Sequence, residues 1–291
     1  MQRRKFLNMC GGAAVASMAP AAVGLARAQS APLRMAVHPY NSALALVNTF
    51  RPLFLYLEKI LQRPVEFYTA PSFDAFVNAL LAGEYDIPVC PPHFAMLGVE
   101  KGHYVPLVHY RSLLEPILVV KAGSAFNRPA DFAGRRIAMA DKSALIRIVA
   151  IKWLGDAGLV AGKHYEIVER PTHGASITAT AQGDVDAGVA TTTAFRQVPA
   201  DVQQKLTFVS TGLQLPHLFT MANRRLDDTM INRMRLALLD FSSHPEGRLF
   251  FEKSAYGGHD LVTASHQAAL QPYLDPTRRI VDEMRPKAAA Q

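Results

Sequence analysis

The feature that most constrains this fold is a segment that occurs twice, 100 residues apart. In both Phe73–Asp86 and His173–Asp186, alanine stands at the third and seventh positions, glycine at the eleventh and aspartate at the fourteenth. Each copy predicts a helix that ends at the glycine, followed by a turn and a strand. Self-similarity at a fixed offset indicates two lobes built in the same way, and 291 residues are enough for both.

Short apolar runs alternate with amphipathic segments of helix length, which predicts α/β sheets with helices on both faces. Strands are predicted at Leu33–His38, Val65–Thr69, Tyr85–Val89, Val105–His109, Pro116–Lys121, Arg136–Met139, Glu166–Glu169 and Ala187–Ala190. Helices are predicted at Ala43–Leu61, Phe73–Ala82, Phe94–Lys101, Ala144–Ala157, Gly174–Gln182 and Met230–Phe241. The chain from residue 227 onward is expected to be helical. We expect a first lobe of residues 32–111 plus 215–291 and a second of residues 112–214, each a mixed sheet flanked by helices.

The first 28 residues are typical of a secretory signal peptide. Arg3, Arg4 and Lys5 precede an apolar stretch of small residues from Met9 to Leu25, and Ala26-Arg27-Ala28 offers a cleavage site. The paired arginines followed by Lys-Phe-Leu resemble the twin-arginine type, which exports folded proteins. A membrane anchor is the alternative, although the stretch is short for a span of about 20 apolar residues. We expect export with cleavage after residue 28.

The charge that remains after this cleavage argues against nucleic acid as a partner. Removing the four basic residues of the signal from 31 Lys and Arg leaves 27 against 24 Asp and Glu, a net charge of +3. No basic run supports binding to nucleic acid. No later stretch reaches about 18 uninterrupted apolar residues, so the exported chain is predicted to be soluble.

Ligands of open α/β sheets bind outside the carboxyl ends of the strands, and these ends are rich here in Ser, Thr and His. Six loops are expected to line a cleft between the lobes: His38–Ser42, Thr69–Ser72, Pro91–Phe94, Lys142–Ser143, Pro171–Ser176 and Thr191–Thr193. Several of them lead directly into helices. Helix N-termini present free backbone N–H groups and partial positive charge, so the cleft is expected to favour an anion.

Six passages, in order, carry a family resemblance: Met35-Ala36-Val37-His38-Pro39, Phe54-Leu55-Tyr56-Leu57-Glu58, Leu81-Ala82-Gly83-Glu84-Tyr85-Asp86-Ile87, Pro91-Pro92-His93-Phe94-Ala95, Tyr110-Arg111-Ser112 with Ile117-Leu118-Val119-Val120-Lys121, and Asp131-Phe132-Ala133-Gly134-Arg135-Arg136. Together they resemble the PhnD-like periplasmic binding proteins of phosphate, phosphite and phosphonate ABC transporters. The resemblance implies a two-lobed, type II-like periplasmic binding protein. Such a protein captures a small oxyanion by hinge closure and delivers it to an ABC permease, as a monomer without cofactor, metal or enzymatic activity.

Two departures from the family bear on the ligand. Where relatives often have a Ser-Thr-Ser-Gly-like run, Asp141–Leu145 offers only Ser143 as an obvious hydroxyl donor. Where relatives that bind an aminoalkyl group commonly place an acid, this chain has three threonines, so an amine on the ligand is not expected. The predicted ligand-binding residues are His38, Tyr40, Ser72, His93, Phe94, Tyr110, Ser143, His173, Ser176, Thr191, Thr192 and Thr193.

Several alternatives stay open for single residues. The histidines of these loops, together with His217, could hold a metal instead, although no His-x-x-x-His or Glu-x-x-His pair lies there. Aromatic side chains of the loops could belong to the core rather than to the cleft wall. Arg111 could pair with an oxyanion or lie at the hinge surface. Cys90, the single cysteine after the signal, is expected to be buried, with a thiol facing the cleft and binding a soft ligand such as arsenite as the alternative.

Two other outputs are compatible with the same fold. The closed lobes could present the ligand to a sensor kinase rather than to a permease. An enzyme is the rival class, but the chain has no Gly-x-Ser-x-Gly elbow, no His-Glu-x-x-His and no glycine-rich loop ending in Lys-Ser/Thr.

Overall fold

The computed structural model describes residues 31–40 and 43–284. The predicted signal peptide with its twin-arginine motif, and the end of the predicted first lobe, lie outside these residues. The elements are β1 (Leu33–Val37), α1 (Ala43–Leu61), β2 (Val65–Tyr68), α2 (Phe73–Leu81), β3 (Ile87–Cys90), α3 (Pro92–Glu100), β4 (Tyr104–Tyr110), β5 (Pro116–Lys121), β6 (Arg136–Met139), α4 (Leu145–Asp156), β7 (Glu166–Glu169), α5 (His173–Gln182), β8 (Ala187–Thr191), α6 (Thr192–Gln197), α7 (Ala200–Gln203), β9 (Leu206–Ser210), β10 (Phe219–Asn223), α8 (Asp228–Phe241), α9 (Pro245–Ser254), β11 (His259–Leu261), α10 (Ala264–Ala268) and α11 (Gln271–Met284).

The strands form two mixed sheets with a shared plan. The first has the order β2-β1-β3-β10-β4-β11, with β1 parallel to β2 and β3, and β10 antiparallel to β3 and β4. The second has the order β7-β6-β8-β5-β9, with β6 parallel to β7 and β8, and β5 antiparallel to β8 and β9. In each sheet a strand from outside the βαβαβ unit, β10 or β5, is inserted antiparallel beside the last strand of that unit. This confirms the predicted two-lobed fold; the first and second lobes are these sheets with their flanking helices.

Side chains of one strand serve cores on opposite faces of the first sheet because successive residues of a strand point to opposite sides. Leu33, Met35 and Val37 are buried against α1, α8 and α9. Ala36 between them is buried on the face that carries α2, α3 and α11. The α4 helix of the second lobe adds Leu145 and Val149 to this second core. The two lobes therefore share apolar packing beside the cleft.

The repeat predicted from the sequence is confirmed at its helix ends. Ser72 and Thr172 are the N-caps of α2 and α5, and each side-chain oxygen accepts the amide hydrogen of the third helical residue at 3.1 Å. Such caps satisfy a backbone donor that has no partner within the helix. Gly83 and Gly183 follow the two helices with φ of 73° and 88°, a left-handed conformation that glycine adopts without steric cost.

An aspartate fixes the strand after each repeated helix. Asp86 accepts the amide hydrogen of Arg34 at 2.8 Å, and Asp186 accepts that of Arg136 at 2.9 Å. In both lobes the arginine begins or nearly begins the first strand of the unit, so the carboxylate ties the third strand to the first. The two lobes thus share a bonding pattern as well as an order of elements.

The observed bounds of α1, β5, β6 and β7 are those predicted. Helix α3 begins at Pro92, two residues before the predicted start, because proline fits the first helical position, where its missing N–H costs nothing. Strands β9 and β10 were not predicted, and β11 lies in the stretch expected to be helical. The three residues of β11 pair with β4 at the sheet edge and are too few to show an alternating pattern.

Two connectors link the lobes, from β4 to β5 and from β9 to β10. They pair through Leu114 and Leu215, whose backbones exchange hydrogen bonds of 2.8 and 3.0 Å. The predicted boundaries after Arg111 and Gln214 fall in these connectors, and as domain limits they stay predictions. Within residues 31–40 and 43–284, no helix has the length and apolarity needed to cross a membrane.

Candidate ligand site

A cavity of about 650 Å³ lies at the carboxyl ends of the parallel strands of both sheets. Four of the six predicted loops contribute to its wall, those that follow β1, β3, β7 and β8. The fifth, 69–72, ends one residue before Phe73, which lines the cavity. The sixth, 142–143, is flanked by the lining residues Asp141 and Ala144 but contributes neither of its own. The position of the cleft thus follows from the rule that ligand sites lie beyond strand ends. The predicted bounds of two loops miss the lining residues by one position.

Five helices begin at this cavity, namely α2 to α6. The residues at or beside their first turns that line it are Phe73, Pro91, Pro92, Ala144, Leu145, Ile146, Thr172, His173, Gly174, Thr191, Thr193 and Ala194. The amides of a first helical turn have no partner within their own helix, and the helix dipole adds partial positive charge there. Convergence of several such termini gives the cavity a positive potential that does not depend on charged side chains.

Two threonine hydroxyls add hydrogen-bond donors. Thr172 and Thr191 cap α5 and α6 by accepting amide hydrogens at 3.1 and 3.0 Å. Each oxygen therefore already serves as an acceptor, and no acceptor for either hydroxyl hydrogen lies among the described residues. Both residues line the cavity, so both hydroxyls can donate to a ligand while they hold their helices in place.

Three histidines of the wall are held in the neutral form. Burial lowers the pKa of His38 to about 3, with smaller contributions from His217, His93 and His173. Burial also lowers the pKa of His173 and of His217 to about 4. The Nδ1 atoms of His38 and His173 are buried and have no hydrogen-bond partner among the described residues. Both residues line the cavity, so these unpartnered nitrogens lie in its wall.

The tautomer of the third of these histidines follows from its bonding. Nδ1 of His217 accepts the amide hydrogen of Leu218 at 2.9 Å. A neutral imidazole with an accepting Nδ1 carries its hydrogen on Nε2. His217 therefore contributes a donor, whereas the unpartnered Nδ1 atoms of the other two histidines can accept in one tautomer and donate in the other.

Aromatic side chains of the first lobe complete the wall. The ring centroid of His38 lies 4.9 Å from that of Tyr40 and 5.6 Å from that of Phe73. The Tyr256 hydroxyl donates to the Tyr40 hydroxyl at 3.1 Å. Burial raises the pKa of both phenols, so both are neutral, and the Tyr40 hydrogen is left to bind a ligand.

Asp141 is the one charged side chain among the lining residues of the described chain, which include no lysine and no arginine. Its Oδ1 accepts hydrogen bonds from the amide and the hydroxyl of Ser143. Residues 191–193 at the end of β8 include no acid, but the Asp141 carboxylate reaches the cavity from the loop after β6. Residues 191–193 alone therefore do not exclude an amine on the ligand.

Of the twelve predicted ligand contacts, five line the cavity: His38, Tyr40, His173, Thr191 and Thr193. The structure places the other seven away from it: Ser72, His93, Phe94, Tyr110, Ser143, Ser176 and Thr192. Each of these seven is explained by a local bond or by packing.

Three serines were predicted as donors because they lie in cleft loops. Ser72 is exposed and caps α2. Ser143 is buried and donates to Asp141. Ser176 is buried at the contact between α5 and β8, where it donates to the carbonyl of Thr172 at 3.3 Å. The hydroxyls of Ser143 and Ser176 donate within the protein, whereas the oxygen of Ser72 caps a helix outside the cavity wall.

The aromatic residues among the seven are part of the cores. Phe94 and Tyr110 are fully buried. His93 is also fully buried, and its Nε2 lies 2.9 Å from the carbonyl oxygen of Ser143. This bond joins α3 of the first lobe to the loop before α4 of the second, so the histidine connects the lobes beside the cavity. The amide of Thr192 donates to the carbonyl oxygen of Glu115, and Thr192 is not among the lining residues, although its two neighbours are.

Two open alternatives are settled by burial and pairing. Cys90 is fully buried in a core, and burial raises the pKa of its thiol, so it does not present a thiolate to the cleft. Arg111 donates to Asp260 at 3.0 Å and to the carbonyl of Gly257 at 3.0 Å, outside the cavity wall. Among the described residues, no three His, Cys, Asp or Glu side chains are arranged to hold a metal ion.

Sequence reasoning missed residues that reach the site from far along the chain. Leu114, His217 and Leu218 come from the connectors, and Tyr256 follows α9. His217 was noted in a candidate loop but was not among the twelve. Residues in connectors and beyond the repeat carry no strand-end signal. Asp141 did carry that signal, because it follows β6 by two residues, but the predicted loop began one residue too late.

The fold is shared with solved binding proteins. XAC2383 from Xanthomonas citri, in a structure bound to ATP, aligns with a TM-score of 0.73 at 16% identity, over 88% of this chain and 100% of that one. PhnD1 from Prochlorococcus marinus (MIT 9301), in complex with methylphosphonate, aligns with a TM-score of 0.73 at 12% identity, over 85% and 97%. A binding protein component of an ABC phosphonate transporter from Pseudomonas aeruginosa (PA3383) aligns with a TM-score of 0.71 at 13% identity, over 89% and 91%.

A family model matches this chain over residues 35–268, which include both sheets and every strand end at the cavity. The family is that of the ABC transporter, phosphonate, periplasmic substrate-binding proteins. A family that captures substrates for transport needs a cleft, and the cavity described here is lined by residues of both lobes. The chain therefore belongs to the family of periplasmic substrate-binding proteins of phosphonate ABC transporters.

Proposed function

We propose that this protein captures a phosphorus oxyanion in the periplasm and delivers it to an ABC permease, after export through its twin-arginine signal and as a monomer. One observation carries the proposal. Helix N-termini and threonine hydroxyls converge on a cavity in which His38, 5% exposed, has a buried nitrogen without a partner. An anion that leaves water needs other hydrogen-bond donors around it, and these fixed groups can supply them.

The cavity can bind negative charge without a lysine or an arginine. Backbone amides at helix ends are fixed dipoles that need no side-chain ordering when the ligand arrives. An anion beside an imidazole favours the protonated form, so binding is expected to raise the pKa of the neutral histidines. A proton taken up with the ligand would supply part of the compensating charge.

Lining residues come from both lobes, so a ligand makes its full set of contacts only when both walls are in place. A ligand that binds the closed arrangement better than the open one shifts the population toward closure. The two connectors that pair at Leu114 and Leu215 are the segments about which such a motion would occur. The closed surface is then the form that a permease recognises.

The solved neighbours support the class of ligand. Two of them are described in complexes with methylphosphonate and with ATP, both of which carry phosphorus–oxygen anions. Their overall identity to this chain is only 12–16%. What they support here is a phosphorus oxyanion, and the size of the rest of the ligand is left to the chemistry of this cavity.

Isothermal titration of the protein with a series of phosphorus oxyanions and sulfate tests the proposal. We expect saturable one-to-one binding of at least one phosphorus compound and weaker binding of sulfate. Thr193→Val removes a hydroxyl from the wall with little change of volume, and we expect affinity to fall about tenfold. Thr192→Val is the matched control, since Thr192 does not line the cavity, and it should bind like the wild type. Failure of every phosphorus oxyanion to bind would refute the proposal.

A further inference from the structure

We infer that the natural ligand is an organic oxyanion with a bulky, uncharged, apolar substituent, rather than inorganic phosphate, methylphosphonate or an aminoalkyl compound. The inference rests on the proposed function, because it takes the anionic group as given. It concerns the remainder of the ligand and follows from the size, the surface and the charges of the cavity.

The volume is too large for a bare tetrahedral anion. The cavity measures about 650 Å³, within the ~300–1,000 Å³ range of sites that enclose drug-sized ligands. A bare tetrahedral anion is only a few times larger than a water molecule, which takes up about 30 Å³ of the liquid. Such an ion would leave most of the apolar wall in contact with water, whereas a ligand of the size of an aryl phosphonate would cover it.

The surface that remains beyond the donors is apolar and comes from both lobes. Tyr40, Phe73 and Leu218 line it from the first lobe and its connector, and Leu145 and Ile146 from the second. Ligand sites of this kind combine an apolar wall with a few placed polar groups. Burial of an apolar substituent against this wall would contribute free energy in proportion to the area covered.

The threonine hydroxyls of the wall and the aromatic side chains of Tyr40 and Phe73 come from different lobes. The second lobe supplies the hydroxyls of Thr172, Thr191 and Thr193, next to the first turns of α5 and α6. The first lobe supplies the aromatic side chains of Tyr40 and Phe73, whose ring centroids lie 4.9 and 5.6 Å from that of His38. An anionic group held by the second lobe would therefore place its substituent against the aromatic wall of the first.

The charges argue against a second ionic group on the ligand. With no lysine or arginine in the wall of the described chain, a carboxylate on the substituent would lie in the cavity without a cationic partner. The one anionic partner that the described wall offers an ammonium group is Asp141, which is exposed and whose Oδ1 already accepts two hydrogen bonds. An ion pair at such an exposed position gains little. The substituent that this wall fits is uncharged.

Titration of the wild-type protein with four probes tests the inference: phenylphosphonate, methylphosphonate, 2-aminoethylphosphonate and inorganic phosphate. We expect phenylphosphonate to bind at least tenfold more tightly than methylphosphonate, because the ring covers apolar wall that a methyl group leaves in water. We expect Phe73→Ala to weaken binding of phenylphosphonate at least threefold and to leave methylphosphonate unchanged. Phe126→Ala is the matched control: this half-buried phenylalanine stacks on Phe132 away from the cavity and should change neither affinity.

Each other outcome has a distinct meaning. Equal or tighter binding of methylphosphonate or phosphate would overturn the inference and leave the proposed function standing. Tightest binding of 2-aminoethylphosphonate, lost in Asp141→Asn, would overturn it in favour of an ion pair with that carboxylate. A loss in Phe73→Ala that is the same for phenylphosphonate and methylphosphonate would contradict the placement of the substituent. If none of the four probes binds, the proposed function fails with the inference.

Discussion

The β1–β3 unit of the first lobe and the β6–β8 unit of the second have the same backbone plan but different surroundings. Asp86 and Asp186 each accept an amide hydrogen of the first strand. The Asp86 side chain is 8% exposed and pairs with Arg225 at 2.8 Å, whereas the Asp186 side chain is 36% exposed and its nearest cation, Arg135, lies 3.9 Å away. The chain that returns to the first sheet after β10 covers one copy, and the other stays at the surface.

The same contrast appears at the cavity. The offset of 100 residues pairs Phe73 with His173 and, beyond the repeat, Pro91 with Thr191, and all four line the wall. The apolar residue of each pair belongs to the first lobe and the polar one to the second. The repeated backbone therefore fixes where side chains meet, while the residue at each equivalent position decides whether that lobe presents an apolar or a polar group to the cavity.

The largest expected effect is that of pH, because both walls bury neutral histidines. The pKa of His38 is lowered to about 3 and those of His173 and His217 to about 4. In the unfolded chain these groups take up protons near pH 6.5, but in the folded protein they do so only near pH 3–4. The unfolded state binds more protons in this window, so stability is full above pH 6.5 and is lost as pH falls toward 4. We expect the free energy of unfolding without ligand to fall by at least about 3 kcal/mol, measured by urea unfolding from pH 7 to pH 4.

Two variants test whether the dependence of stability on pH comes from the histidines of the cavity wall. His38→Gln should flatten it, and so should His173→Gln, because each removes one group that protonates only on unfolding. A bound oxyanion acts in the opposite direction, so titration at pH 6 in two buffers of different ionisation enthalpy should show proton uptake with the ligand. A flat stability profile from pH 7 to pH 4 would contradict neutral histidines at this site, and ligand binding without proton uptake would contradict their protonation by the ligand.

The second prediction separates the two aspartates. Asp86→Ala leaves the amide of Arg34 without its acceptor and the guanidinium of Arg225 without its partner, and we expect a loss of about 2–3 kcal/mol in the free energy of unfolding. Asp186→Ala leaves the amide of Arg136 without this acceptor, but water can replace it at the surface. We expect a loss of about 1 kcal/mol in the free energy of unfolding. Chemical denaturation of both variants measures the difference. Equal losses would show that the cover over the first lobe contributes nothing to stability.

How much of this could be predicted depends on where the determining contacts lie in the sequence. The two lobes and the position of the cleft followed from local signals: the repeat, the helix ends and the strands that precede loops. The identity of lining residues within those loops did not, because one residue along a loop changes which side chain faces the cavity. Thr191 and Thr193 face it and Thr192 does not, although the three are identical in type.

The rest of the site depends on contacts that no local pattern encodes. Ser143 and Ser176 were plausible donors until the structure showed their hydroxyls bonded to Asp141 and to the carbonyl of Thr172. Tyr256 reaches the wall from 216 residues beyond Tyr40, with which it shares a hydrogen bond. Residue types and their spacing can be taken from the sequence. Which hydroxyls already have hydrogen-bond partners, and which distant residues lie close together, appears only in the three-dimensional structure.

The smallest expected effect gives the sharpest test of the division between the lobes, because it compares two caps with the same geometry. Ser72→Ala and Thr172→Ala each remove an N-cap whose oxygen accepts an amide hydrogen at 3.1 Å, and each should lower the free energy of unfolding by about 1 kcal/mol. Only Thr172 lines the cavity. We therefore expect Thr172→Ala alone to weaken ligand binding, about tenfold by titration, since it loses a hydroxyl donor to the anion.

Thr172→Ser keeps both the cap and the hydroxyl and should restore stability and affinity together. If Ser72→Ala weakened binding as much as Thr172→Ala, the loss would come from loosening of the repeated helices. If neither variant weakened it, the donors would lie elsewhere in the wall. A loss of affinity in Thr172→Ala alone, restored in Thr172→Ser, would show that one hydroxyl both caps a helix and binds the ligand. The equivalent cap of the first lobe, Ser72, would then stabilise its helix without binding the ligand.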